Sequence, residues 1–232
     1  YSYEDHFIVD WSYTGQYSTQ NQQRQNSSFV NFRYTIETAG NALYGICALA
    51  HAPKNDAGQY EVFKVPFSQY AKADVNFTYN QVLVPNHRMV YHMGIGVAVP
   101  FVNASVLPFE KRYFSGGSNS VRGWQARTLG PGGYRGKDGY MRYDMQAGDI
   151  RLDLNLEYRW RAWHWLNLAA FTDAGNIWTI RDYDSQPHGV FRWNEFYRQI
   201  AWAYGVGVRL DFTFLIFRVD FGVKLYDPTR LY

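Results

Sequence analysis

The chain has 232 residues with a net charge of +3, 47% hydrophobic residues and 44 aromatic side chains, enough for one large all-β domain or two small ones and far from a disordered composition. Its one cysteine, Cys47, excludes an intrachain disulfide, and the absence of any run of like charges argues against a nucleic-acid arm or a polybasic membrane patch. No stretch approaches the roughly 18 consecutive apolar residues of a membrane helix, but strands that cross a membrane need only every second residue apolar, so a barrel is not excluded.

The sequence starts at Tyr1 without an initiator Met or a signal peptide, which reads as a mature or partial chain. Period-two alternation then marks the elements in order. Phe7 to Tyr13 and Val30 to Ile36 are weak strand candidates. From Asp74 to Asn80, Val75, Phe77 and Tyr79 alternate with polar residues, and from Met89 to Val99 the alternating partners are His92, Gly94, Gly96 and Ala98. Arg151 to Trp160 is the cleanest strand, with Leu152, Leu154, Leu156, Tyr158 and Trp160 on one face and Arg151, Asp153, Asn155, Glu157 and Arg159 on the other. Leu166 to Trp178, Val206 to Phe212 and Phe217 to Leu225 complete about eight strands, many longer than the usual 5 or 6 residues.

The two faces separate the environments such strands can occupy. A soluble sandwich or lipocalin-like barrel would carry mixed Lys, Glu and Thr on its wet face. Here that face holds Arg, Asp, Asn, Glu and Gly, while the other is rich in Phe, Tyr, Trp and Leu, with aromatics near strand ends. A transmembrane barrel with a polar interior and aromatic girdles fits this better. Two long segments interrupt the rhythm: Asn103 to Gly148, with nine glycines, and Thr179 to Gln199. Loops this long are usually functional or disordered.

The first loop contains Gly116-Gly117-Ser118 and then Val121-Arg122-Gly123-Trp124. The glycines allow tight turns that would present Arg122 at a tip, well suited to entering a confined space and meeting a carboxylate. The alternative is a Gly-rich surface hairpin whose arginine is merely solvated.

The stretch Phe109 to Gly132 resembles the signature loop of the outer-membrane assembly-factor superfamily, the BamA/TamA-like surface-antigen barrels. Leu154 to Arg159 and Phe171 to Trp178 resemble two later strands of that family in the right order, and the segments are most similar to those of Bacteroidetes members. The resemblance implies an all-β, antiparallel transmembrane β-barrel of which this chain is the C-terminal part, about eight of roughly 16 strands. It implies that residues 103–148 enter the lumen and that Arg122 bonds Glu157 and Asp173 on the inner wall. Strand parity independently places Glu157 on the polar face and makes an inward Asp173 plausible. An arginine so placed is read as locking the barrel's shape rather than as a moving part.

The whole of residues 1–232 is then one barrel portion. Periplasmic domains and the first and last strands are expected outside it, so the chain reads as a piece of a longer protein. The function implied is insertion or folding of other outer-membrane proteins through a laterally opening barrel, without covalent chemistry. Unfolded outer-membrane proteins would be clients, accessory periplasmic or lipoprotein subunits partners, and lipopolysaccharide and phospholipid the surroundings. A polypeptide secretion pore of the same superfamily, the barrel anchor of a patatin-type lipase, or a plain diffusion porin are the alternatives.

Other chemistry finds little support. The six histidines form no metal-ligand spacing, and His87 and His92 have opposite parity. No Gly-x-Ser-x-Gly elbow is present, and Gly130, Gly132 and Gly133 are not followed by the Lys-Ser or Lys-Thr of a phosphate cradle. No metal, cofactor or nucleic acid is expected. Asp182 and Asp184 read as a solvated acidic turn, and Trp160, Trp163, Trp165 and Trp178 as membrane-interface residues.

Overall fold

The computed structural model describes residues 6–21, 27–136, 145–212 and 214–231. Eight long strands form one antiparallel sheet: β1 (Asp10–Ser18), β2 (Phe29–Ala39), β5 (Tyr70–Val84), β6 (His87–Pro100), β7 (Ile150–Arg161), β8 (Leu166–Trp178), β9 (Ala201–Asp211) and β10 (Ile216–Tyr226). They are hydrogen-bonded in sequence order, a meander. Between β2 and β5 lie a helix, α1 (Asn41–Leu49), and a small hairpin of β3 (Glu61–Val62) and β4 (Val65–Pro66).

Every strand expected from the alternation forms, but the edges move. β1 starts at Asp10, while Phe7 makes only an isolated bridge to Phe67. β5 is twice the length its apolar rhythm suggests, because Ala71, Ala73 and Gln81 carry no contrast between faces and are held as strand by pairing with β6. α1 and the β3–β4 hairpin were not anticipated, since neither shows a sustained period.

Register puts the Asp, Glu, Lys and Arg residues of the eight strands on one face. Asp74 faces Gly96, Gly96 faces Arg151, Asn155 faces Asp173, Asp173 faces Ala203, and Gly207 faces Asp220. The burial pattern is the reverse of a soluble protein. Asp153, Glu157 and Asp173 are buried, whereas Trp11, Tyr91, Ile95, Val206, Val219 and Phe221 are exposed on the opposite face. An apolar surface of that extent in contact with water would drive association, and strands of 9–15 residues match what a tilted strand needs to cross a bilayer. The apolar side is therefore the lipid side and the polar side the inner wall.

At one end the strands join through tight turns, such as 85–86 and 162–165; at the other they join through the long segments 101–149 and 179–200. The first and last strands of the sheet, β1 and β10, do not pair with each other, so the described strands form an open wall rather than a closed cylinder.

Candidate functional site

The segment between β6 and β7 folds back over the inner wall. Its turn depends on Gly116 and Gly117, both with left-handed backbones (φ +96° and +89°). A Cβ at Gly116 would lie 2.3 Å from the Gln125 carbonyl oxygen, so only glycine permits this closure. Gly117 N–H donates to the Trp124 carbonyl at 2.8 Å, and a bridge joins Ser115 to Leu129. Val121, Trp124 and Leu129 then pack with Ala201 and Ala203 of β9 in a small buried cluster.

This hairpin delivers Arg122 to the wall between β7, β8 and β10. Its Nε and Nη2 donate to Oδ2 and Oδ1 of Asp173, both at 2.7 Å, and its backbone N–H donates to Oδ2 at 3.1 Å. Asn155, opposite Asp173 in the ladder, donates a fourth bond to Oδ1 at 2.9 Å and another to the Ser120 carbonyl at 2.7 Å. Four donors match the acceptor capacity of a carboxylate, which explains how Asp173 can be fully buried with its oxygens satisfied. Arg122 Nη1 donates to Glu157 Oε2 at 2.5 Å, and Glu157 Oε1 also receives Arg159 Nε at 2.6 Å and lies 2.5 Å from Arg209 Nη2. Asp220 of β10 stands 3.6 Å from Arg122 Nη1.

The space for this arrangement comes from inner-wall glycines. Arg122 lies over the ring of Phe171, and Phe171 packs over Gly205, where an added Cβ would be 2.5 Å from the ring. At Gly222 an added Cβ would meet the Arg122 carbonyl oxygen at 2.5 Å, and at Gly123 it would meet Ala203 Cβ at 2.7 Å. The loop backbone thus rests on bare strand backbone. A further link joins Ser120 Oγ to Asp153 Oδ1 at 2.5 Å.

Sequence reasoning singled out Val121, Arg122, Gly123, Trp124, Gly116, Gly117, Glu157 and Asp173, and the structure brings all of them together. It missed the residues that support them: Asn155, Phe171, Gly205, Gly222 and Ser120. Parity could have placed Asn155 and Phe171 on the inner face, but not beside Arg122.

Two more anchors hold the same loop, both between residues far apart in sequence. Lys111 Nζ lies 2.5 Å from Asp10 of β1 and 2.7 Å from Glu37 of β2, and Tyr70 OH donates to Glu37 at 2.5 Å. Arg112 Nε lies 3.3 Å from Asp149 Oδ1, just before β7, and Ile180 N–H donates to the other carboxylate oxygen at 3.1 Å. Burial pushes the Asp149 carboxyl above the usual carboxylate range, and Arg112 pulls the other way. The loop is therefore tied to both halves of the wall.

Among the other candidates, His92 bonds Thr78 on the inner wall, while His87 bonds Tyr158 and stacks on Trp160 on the opposite face. Trp160, Trp163 and Trp165 are exposed at the tight-turn end. Trp178 is not at an interface: it is 1% exposed, edge-on to Phe191 and Phe196 and bonded to Gln199, because segment 179–200 folds over it. Among the described residues no group of three or more His, Cys, Asp or Glu could hold a metal ion.

Residues 55–230 match the model of the Omp85 superfamily domain. The outer membrane protein assembly factor BamA of Neisseria meningitidis serogroup B is 27% identical over 121 residues, covering 50% of this chain and 15% of that protein. The crystal structure of BamA from Haemophilus ducreyi lacking POTRA domains 1-3 superposes with a TM-score of 0.55 and 15% identity, over 95% of this chain and 51% of that one. The chain thus spans about half of the matched structure and a smaller share of the curated relative.

Proposed function

The chain belongs to the Omp85 superfamily, as part of an integral outer-membrane β-barrel, and from that premise we propose that it is the wall and internal loop of an outer-membrane protein assembly factor. The eight-stranded sheet is completed by further strands into a larger barrel, roughly 16 in all, and residues 103–148 lie in its lumen. Periplasmic domains precede the barrel in the whole protein. The work is mechanical: unfolded outer-membrane proteins are the clients, periplasmic or lipoprotein subunits assist, and the exposed apolar face meets phospholipid and lipopolysaccharide.

The observation that carries this reading is Arg122 seated on Glu157 and Asp173. A forked ion pair of this kind, buried between the loop and the inner wall, fixes the loop on the wall, which suits a scaffold for assembly better than a diffusion pore. The similarity to a protein named as an assembly factor supports the same choice over secretion.

The test replaces the full-length protein in its host by a depletable copy. Depletion is expected to lower many outer-membrane barrel proteins together and to leave their unfolded forms in the periplasm. Normal levels of those proteins, with loss of one exported polypeptide from the medium, would assign a secretion pore instead.

A further inference from the structure

The inner wall carries a second constellation, below the tip of the loop and towards the tight turns. Arg88 of β6 faces Arg159 of β7 directly across the ladder, and Arg209 of β9 faces Arg218 of β10. Arg161 shares the same face, opposite Asn167, which in turn is opposite Arg209. Like charges directly opposite in a sheet are destabilising, and two such pairs lie within five adjacent strands.

The carboxylates nearby do not balance them. Glu157 meets Arg159 and Arg209 but is also held by Arg122, Asp220 is 2.5 Å from Arg218, and Asp211 lines the same region. With Arg122 and Asp173 included, these six guanidinium groups share four carboxylates, Glu157, Asp173, Asp211 and Asp220.

These arginines enclose space. A cavity of about 210 Å³ is walled by four arginines, Arg88, Arg159, Arg161 and Arg209, by the Asn86 and Asn167 side chains, and by a single carboxylate, Asp211, beside Ile216. A second, of about 260 Å³, shares Arg159 and reaches Arg218 and the loop tip. Each is several times the roughly 30 Å³ that a water molecule occupies in the liquid.

We infer that this pocket is a binding site for a phosphate group. Guanidinium forks arriving from β6, β7 and β9 surround the cavity, and a phosphate offers oxygens in several directions, where a single carboxylate offers two in one plane. The Asn86 and Asn167 amides add uncharged donors. A bound phosphate relieves the repulsion between the facing arginines and leaves Glu157 to Arg122, so the site supports the loop anchor from below. The phosphate can belong to a free anion or to a lipid headgroup; recognition is the same.

The test uses the purified full-length protein in detergent, with pyrophosphate as the probe, read by calorimetry and by thermal unfolding. Saturable binding is expected, weakened at least about tenfold in the double variant Arg88→Gln, Arg161→Gln, which leaves Arg122, Glu157 and Asp173 untouched. Arg192→Gln, on the exposed 179–200 segment, is expected to bind like wild type. If the double variant does not fold, Arg161→Lys keeps the charge without the fork and is expected to bind more weakly than wild type. In a second arm, nanodiscs of phosphatidylglycerol are compared with nanodiscs of phosphatidylcholine. Stabilisation by the anionic lipid that depends on the same arginines, without pyrophosphate binding, assigns the phosphate to a headgroup. If neither probe shows an effect that depends on these arginines, the inference is overturned. The readout is binding, so it stands or falls apart from the assembly role.

Discussion

The guanidinium carbon of Arg122 sits 3.4 Å above the ring centroid of Phe171, so the arginine is held by an aromatic floor as well as by its carboxylates. A cation over a ring face adds attraction that strengthens when water is excluded. Phe171 is itself directly opposite Glu157 in the β7–β8 ladder, which puts floor and counter-ion in one register. The strand pairing, not the loop, decides where the arginine can bind.

Arg122→Ala leaves Asp173 buried without two of its four donors, since only the backbone N–H at 122 and Asn155 remain, and breaking such a pair costs about 3–5 kcal/mol. The variant is expected to show a loop that proteases cleave and reduced assembly of other outer-membrane proteins. Arg122→Lys keeps the charge but cannot make the fork and is expected to fall between the two. Protease resistance and complementation equal to wild type would remove Arg122 as the anchor.

Gly222→Ala tests the seat without touching any charge. Its methyl would meet the Arg122 carbonyl oxygen at 2.5 Å, so loop or strand must shift, at a cost on the order of 1–3 kcal/mol. Lower thermal stability together with a cleavable loop is expected. An unchanged melting temperature would mean that the loop does not rest on β10.

Lys111→Ala removes the anchor to β1 and β2. These partners are part-exposed, so the loss is expected to be well below that of Arg122→Ala. Limited proteolysis is expected to open the chain near residues 103–112 while 115–124 stays protected. Cleavage in both regions at once would mean that the loop is released as one unit.

Single-tryptophan variants in bilayers of brominated lipid test which face meets the membrane. Trp11 and Trp202, exposed on the apolar face, are expected to be quenched. Trp124 and Trp178, both buried, are not. Quenching of Trp124 to the level of Trp202 would contradict the placement of the loop on the inner wall.

Much of this protein is legible in its sequence, for a physical reason. A wall with lipid on one side and a polar interior on the other must alternate residue by residue, so the β7 pattern from Arg151 to Trp160 already states both its conformation and its two environments. The turn glycines and the arginine of the long loop are likewise local, because left-handed backbone and tip charge are properties of a few consecutive residues. What alternation cannot convey is which strand lies beside which residue of a loop many positions away. That Lys111 meets Asp10 and Glu37, that Gly205 makes room for Phe171 beneath Arg122, and that Arg88 faces Arg159 depend on register and on the path of the loop. So does the burial of Trp178, whose sequence context reads as membrane interface until segment 179–200 folds over it. Those contacts join residues 13 to more than 100 positions apart, and only the assembled structure brings them together.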